Sequence, residues 1–296
     1  MDERSLVPKE RIVSQKKELR CFEGRDETLP ISSFVQTKPY QDFVQCCDSC
    51  RRFRYVAMSY GPAGVGKTIG ARLYAGWDEI EPLLTRRGVR MPVDGTMRPY
   101  PRVALYTPGR TVSAKQIEND VVLLMWSLQN LGKISLHEHL EASVAGEAAV
   151  SEGLELLIID NVHRLDVVCM DVVQDLYDRY RIGVVLLGSE VLVEKHLKRL
   201  EHLRVRVGDV RPFGVLSRDE VKAMIPHLLQ GLSIDLQGQQ GLSLEQLTEE
   251  MYHATNGNLG LIRHFMTQIV IVLQDKKTEI ITDAIVYKAY AKLRME

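Results

Sequence analysis

The run Tyr55-Val56-Ala57-Met58-Ser59-Tyr60, emptying into Gly61-Pro62-Ala63-Gly64-Val65-Gly66-Lys67-Thr68, decides how the rest of the chain is read. A strand-like segment leads into G-x-x-x-x-G-K-T, and the helix-competent Thr68-Ile69-Gly70-Ala71-Arg72-Leu73-Tyr74-Ala75 follows. Strand, glycine loop and helix in that order make a phosphate-binding P-loop. The glycines let successive backbone N–H groups turn inward on phosphates, and a helix opening at about Lys67 adds the positive end of its dipole. Gly61, Pro62, Ala63, Gly64, Val65, Gly66, Lys67, Thr68 and Ile69 are therefore the expected ATP contacts. Lys67 is expected to reach the β- and γ-phosphates, and the Thr68 hydroxyl to hold Mg²⁺.

Working outward, Leu154-Glu155-Leu156-Leu157-Ile158-Ile159-Asp160 is nearly all apolar and ends in a carboxylate. Such a strand is expected to be central and covered on both faces, with Asp160 at its tip ordering the water around Mg²⁺ beside the P-loop. Further strands are expected at Val103–Thr107, at Gly183–Ser189 and, shorter, at Leu203–Val207. Helices read between them: Thr37 to Arg54 with Tyr40, Phe43, Val44 and Cys47 on one face, and a helix capped by Ser113-Ala114-Lys115-Gln116 with Ile117, Val121, Leu124, Met125 and Leu128 inward. Another places Leu165, Val168, Cys169, Val172, Val173 and Leu176 inward. Alternating strands and helices predict an α/β fold with a central parallel five-stranded sheet. Beyond Arg211-Pro212-Phe213 only helix signals remain, at Ser217, Ser243 and Thr282, with Asn256-Gly257-Asn258 separating two helices.

Composition sets bounds. The 296 residues are 45% hydrophobic and 26% charged, with net charge −1, so no overall field steers the protein towards nucleic acid or an anionic membrane. Any DNA contact must come from a local patch. No apolar run approaches a membrane span and Met1-Asp2-Glu3-Arg4 opens no signal peptide, so a cytoplasmic protein is expected. Of five cysteines, Cys46, Cys47 and Cys50 share one segment with no second ligand pair beside it, which favours reduced thiols on a helix over zinc. The expected organisation is a charged extension over 1–30, a nucleotide-binding α/β domain over 31–212, a helical lid over 213–275 and a C-terminal helix or tail over 276–296. The segment Arg86–Arg102, rich in arginine, proline and glycine, reads as an exposed loop or small hairpin.

Two sets of polar residues have alternative readings. Ser189 at a strand tip can contact the γ-phosphate and the attacking water, or serve only as a turn cap. Arg199 and Arg206, in the arginine-dense stretch before the junction at 212, can enter a neighbouring subunit's site as an arginine finger if subunits assemble head to tail, or can lie on a solvated face.

With P-loop, Asp160 strand, Ser189 tip, arginine-rich junction and helical C-terminal part in this order, the chain resembles the AAA+ ATPases. More narrowly it is similar to the ATP-binding transposition regulators of the TnsC, TniB and MuB kind, over about residues 33 to 275. That closer resemblance uses Phe34-Val35-Gln36-Thr37-Lys38, Phe43, Cys50-Arg51-Arg52-Phe53-Arg54-Tyr55, Tyr60 with the P-loop, Tyr106-Thr107-Pro108, Gly188-Ser189-Glu190 and Thr255-Asn256-Gly257-Asn258-Leu259.

The resemblance implies an ATP- and Mg²⁺-dependent protein that oligomerises on duplex DNA as rings or a helical filament, and recruits or activates a transposase together with a target-selector protein. It implies sequence-independent DNA contacts from Arg110, Thr111, Ser113 and Lys115, although the two hydroxyls can instead cap the helix that follows. Two departures stand out. Asn161 occupies the position where the resemblance expects a catalytic Glu, which implies slow or partner-regulated hydrolysis. Gly260 occupies the arginine position of the lid motif, leaving Arg263 one turn later as the nucleotide sensor. Two other functions fit the same motifs: a DNA-independent signalling or scaffold NTPase, and a replication-initiator or helicase-loader protein.

Overall fold

The computed structural model describes residues 37–85, 88–89, 101–140, 153–192, 201–231, 241–278 and 280–293. The charged extension over 1–30, Phe34 to Gln36, Arg199 and most of the arginine-rich loop lie outside these.

Five strands form the sheet: β1 (Val56–Tyr60), β4 (Val103–Tyr106), β5 (Leu156–Ile159), β6 (Gly183–Gly188) and β7 (Val207–Pro212), in the order β4-β5-β6-β1-β7. All pairings are parallel. β4, β5 and β6 are buried along their whole length because helices cover both faces, which is why their sequences are unbroken apolar runs. Two short strands, β2 (Leu84–Thr85) and β3 (Gly88–Val89), pair as a separate antiparallel hairpin, at the start of the predicted exposed loop.

Helix α1 (Lys38–Phe53) lies against β6, β7 and β1 and buries Tyr40, Phe43, Cys46, Cys47 and Cys50. The free thiols of this helix are core groups; Cys50 Sγ donates to the Tyr55 carbonyl at 2.9 Å. Phe43 packs on Phe213, centroids 5.7 Å apart, fixing the junction beyond the last strand to the first helix. The P-loop helix α2 (Lys67–Ala75) and the short α3 (Trp77–Ile80) follow β1. Helix α4 (Ala114–Leu140) follows β4, with Ile117, Val121, Met125 and Leu128 buried as the period-3.6 pattern predicts. Ser113 Oγ accepts from the Gln116 N–H at 3.3 Å, the expected cap.

Two expectations are corrected. The last strand is Val207–Pro212, not 203–207: Leu203 ends up in the short helix α7 (Glu201–Arg204), and the strand's inward positions carry the paired Asp209 and Arg211, 2.7 Å apart, instead of an apolar run. In α5 (Val167–Tyr180) Val168 points to solvent and Met170 is buried instead, because the helix starts at Asp166, whose side chain caps the Cys169 N–H and sets the phase.

After the short α6 (Glu190–Leu192), α7 and β7, the chain is helical: α8 (Arg218–Gly231), α9 (Leu244–Thr255), α10 (Leu259–Lys276) and α11 (Asp283–Leu293). Ser243 and Gln246 form the reciprocal capping box at α9. α11 packs on α10 through Ile285, Val286 and Ala289, so the helical unit runs to the last described helix. No helix among the described residues is long and apolar enough to cross a membrane.

Candidate nucleotide-binding site

β1 delivers the P-loop at the C-terminal edge of the sheet, between the ends of β6 and β7. Gly64 and Gly66 take positive φ, 81° and 101°, turning the loop backbone back on itself before α2 begins at Lys67. Lys67 Nζ donates to the carbonyls of Gly61 at 2.8 Å and Pro62 at 2.6 Å. Burial pushes its ammonium below the usual lysine range, opposed by the Asp160 charge. Thr68 Oγ1 donates to Asp160 Oδ2 at 2.6 Å, and Asp160, 1% exposed, accepts the Asn161 N–H on its other oxygen at 2.8 Å.

A cavity of about 370 Å³ opens beside these groups, a size in the range of small-molecule sites. Gly64, Gly66, Lys67, Thr68 and Ile69 line one wall, Asn161 and His163 extend from β5, Gly188 and Ser189 from β6, and Leu259, Gly260 and Arg263 from α10. The residues fit a nucleotide with Mg²⁺. One hydroxyl and one buried carboxylate face each other, and Mg²⁺ is usually held by one or two protein oxygens plus phosphate and water. No cluster of three or more His, Cys, Asp or Glu able to hold a metal occurs among the described residues.

The helical unit closes directly on the P-loop. Asn258 caps α10 by accepting the N–H groups of Gly260 at 3.1 Å and Leu261 at 3.2 Å, while its amide donates to the Ala63 carbonyl at 2.8 Å. The Gly260 N–H donates to the Gly64 carbonyl, also at 2.8 Å. A Cβ on Gly260 would lie 3.1 Å from Gly64 Cα, and one on Gly64 would lie 2.7 Å from Asn258 Oδ1. Close approach of two backbones, then, accounts for glycine at position 260.

Residues 51–196 match the family model described as an AAA domain. Over these residues the chain has the AAA-type P-loop fold. A Staphylococcus aureus "Potential ATP-binding protein" is 27% identical over 241 residues, covering 80% of this chain and 88% of that one. Among solved structures, the AAA fold here is similar to the Thermotoga maritima RuvB Holliday junction branch migration motor, at 14% identity and TM-score 0.53, over 91% of this chain and 73% of that one. Domain III of the Thermotoga maritima replication initiation protein DnaA gives TM-score 0.51 at 16% identity, over 92% and 98%. The Aeropyrum pernix ORC2 protein gives 0.52 at 11%, over 86% and 66%. At these identities the structural likeness is one of fold.

The AAA fold gathers most of the predicted site residues. The P-loop from Ala63 to Ile69, Asn161, Ser189 and Arg263 converge on the cavity, with Asp160 behind its wall and bonded to Thr68. Arg206 does not: it sits at the N-terminal end of the strands, opposite the P-loop, in a two-fold hydrogen-bonded pair with Asp178 at 2.9 and 2.8 Å. Arg110, Thr111 and Ser113 are exposed on the connection from β4 to α4, and Lys115 is exposed in the first turn of α4. That connection is tied to the site through Arg164, whose guanidinium donates to the Pro108 carbonyl at 2.8 Å. Two participants escaped the sequence reading. His163 lines the cavity, and its only sequence signal is its place three residues beyond Asp160. The second is the Asn258 amide on the P-loop, a contact between positions 195 residues apart.

Proposed function

We propose that this chain is an ATP-driven switch that self-associates on duplex DNA in a sequence-independent way and recruits or activates a transposase. The observation that carries the nucleotide half of this reading is the facing pair Thr68 and Asp160 beside Lys67, covered by the Asn258–Gly260 end of the helical unit. In it the P-loop backbone and Lys67 bind the phosphates. Mg²⁺, held by Thr68 and Asp160, would neutralise charge on the β- and γ-oxygens. Because α10 touches the loop crest at Ala63 and Gly64, nucleotide that alters the loop alters the seat of the helical unit, the element through which binding can bias subunit contacts. Arg263 extends from the same helix into the cavity and senses occupancy there. Arg199 and Arg206 remain the candidates for a contact in trans; Arg206 must leave Asp178 to make one.

The DNA half is supported by the exposed Arg110, Thr111, Ser113 and Lys115, whose charges and hydroxyls suit phosphate contact and a strong salt dependence. A replication-initiator role is the second reading, favoured by the fold likeness to DnaA and ORC2. Negative-stain microscopy with random-sequence duplex, with and without ATP, tests the proposal. Rings or filaments that need both DNA and nucleotide, and that are lost in Lys67→Ala, support it. Dispersed particles in every condition, despite bound nucleotide, would overturn it in favour of a DNA-independent switch. Co-purification with a replicative helicase instead of a transposase would favour the initiator.

A further inference from the structure

We infer that His163 takes the proton from the attacking water when ATP is hydrolysed at this site, a role that rests on the reading of the site as an ATPase. The residue after Asp160 is Asn161, and an amide can orient water but accepts no proton from it at neutral pH. Asn161 adopts a left-handed conformation, φ 55°, which ends the strand direction at once and turns the chain into a single 3-10 turn, Val162–Arg164. Arg164 N–H to Asn161 O at 3.0 Å and Leu165 N–H to Val162 O at 2.9 Å close that turn. Val162 is fully buried, so the turn is anchored and His163 is the member delivered to the cavity wall.

The turn packs against β6 and α6, the elements that flank Ser189, so His163 stands on the Asn161–Ser189 side of the cavity. The charged groups around it are Lys67 and Arg263 on the cavity walls, Asp160 at the strand tip, Arg164 on its own turn and Glu190 at the start of α6. Of the side chains lining the cavity, Lys67 and Arg263 are cations, Thr68 and Ser189 hydroxyls and Asn161 an amide. Asp160 lies behind the wall, with its oxygens already accepting from Thr68 and Asn161. Among the described lining residues, the His163 imidazole is thus the side chain that offers a ring-nitrogen lone pair to a proton.

In the step, a lone pair of the water oxygen forms the bond to the γ-phosphorus. The bond from phosphorus to the β,γ-bridging oxygen breaks, and its electron pair leaves with ADP. The water proton passes to the open ring nitrogen of His163, and from this exposed side chain to solvent.

The test measures phosphate release and binding of a fluorescent ATP analogue, on the full chain with Mg²⁺ and duplex DNA, for the parent, His163→Ala and His163→Gln. Both substitutions are expected to slow phosphate release by about 100-fold or more, the usual contribution of a positioned acid or base, and by far more than they weaken binding of the analogue. Free imidazole is expected to restore turnover to His163→Ala and not to the bulkier Gln variant. Release by His163→Ala at the parent's rate, or no rescue by imidazole, would overturn the assignment. So would a parent that binds nucleotide and releases no phosphate, whereas a parent that binds none would remove the underlying nucleotide-site reading as well.

Discussion

Replacing Asn258 by alanine removes two kinds of contact at once. The side-chain oxygen caps α10 at Gly260 and Leu261, and the amide fastens the same helix end to Ala63 of the P-loop. Loss of an N-cap costs about 1 kcal/mol, and loss of the amide hydrogen bond about 1 kcal/mol more. The sum of about 2 kcal/mol corresponds to roughly 4–8 °C in melting temperature for a unit of this size. Asn258→Asp separates the two parts. Its carboxylate still accepts both N–H groups and, near a helix N-terminus, is electrostatically welcome, but it has no hydrogen to donate and sets an oxygen against the Ala63 carbonyl. Thermal unfolding of the three proteins, by calorimetry at neutral pH without nucleotide, should place Asn258→Asp about midway between the parent and Asn258→Ala. An Asp variant as stable as the parent would show that the amide contributes nothing to seating the helix, and an Ala variant within about 1 °C would refute the cap as well.

Gly260→Arg, which installs the residue the lid pattern would carry, should push α10 off Gly64, because its Cβ would begin 3.1 Å from the Gly64 Cα. Overpacking of this kind costs about 1–3 kcal/mol, so nucleotide affinity is expected to fall about tenfold in a titration; unchanged affinity would mean that the close approach does not hold the site. Glu155 is pushed up by burial, but hydrogen bonding to Arg51 and the charges of Arg51, Arg102 and Arg54 outweigh this and hold its carboxyl below the usual range. A depressed carboxylate contributes stability above its unfolded pKa, about 4.3, and loses it as pH falls through the folded value. Glu155→Gln should therefore be less stable than the parent at neutral pH, with the two converging below about pH 4 in denaturant titrations; a constant difference down to acid pH would refute the ion-pair explanation. Burial pushes the Cys46 and Cys50 thiols up to about 12 and Cys47 well above its usual value. All three should resist an aromatic disulfide reagent at pH 8 until the protein is unfolded, and rapid labelling of native Cys50, read by peptide mass spectrometry, would contradict their core placement.

Much of the fold is legible because it follows from unbroken or periodic apolar runs. β5 and β6 are buried on both faces, and α4 shows its inner stripe from Ile117 to Leu128 at the helical period. The last strand is not, because it is an edge whose inner face carries Asp209 and Arg211 in a pair; charge there mimics a loop. Val168 looks inward by spacing alone, whereas the Asp166 cap rotates α5 so that Met170 takes the core position. Within the site, the P-loop and Asp160 are readable from chemistry that needs fixed residue types at fixed spacing. Contacts made by backbone are not readable: Gly260 reaches Gly64 through its N–H, and nothing in a glycine's identity says which chain segment it will meet. Long-range side-chain pairs are equally silent. Arg206 reads as an arginine finger or as part of a solvated face, and nothing in the sequence points to its pairing with Asp178.

The most direct test of the account is calorimetric titration of Mg²⁺–ATP into the parent and Lys67→Ala. The parent should bind saturably with one site per chain, and the variant should lose at least about tenfold in affinity, the 1.4 kcal/mol equivalent of one charge-assisted contact. Equal binding by the two proteins would contradict the placement of the triphosphate on this loop, and with it the switch built on the loop.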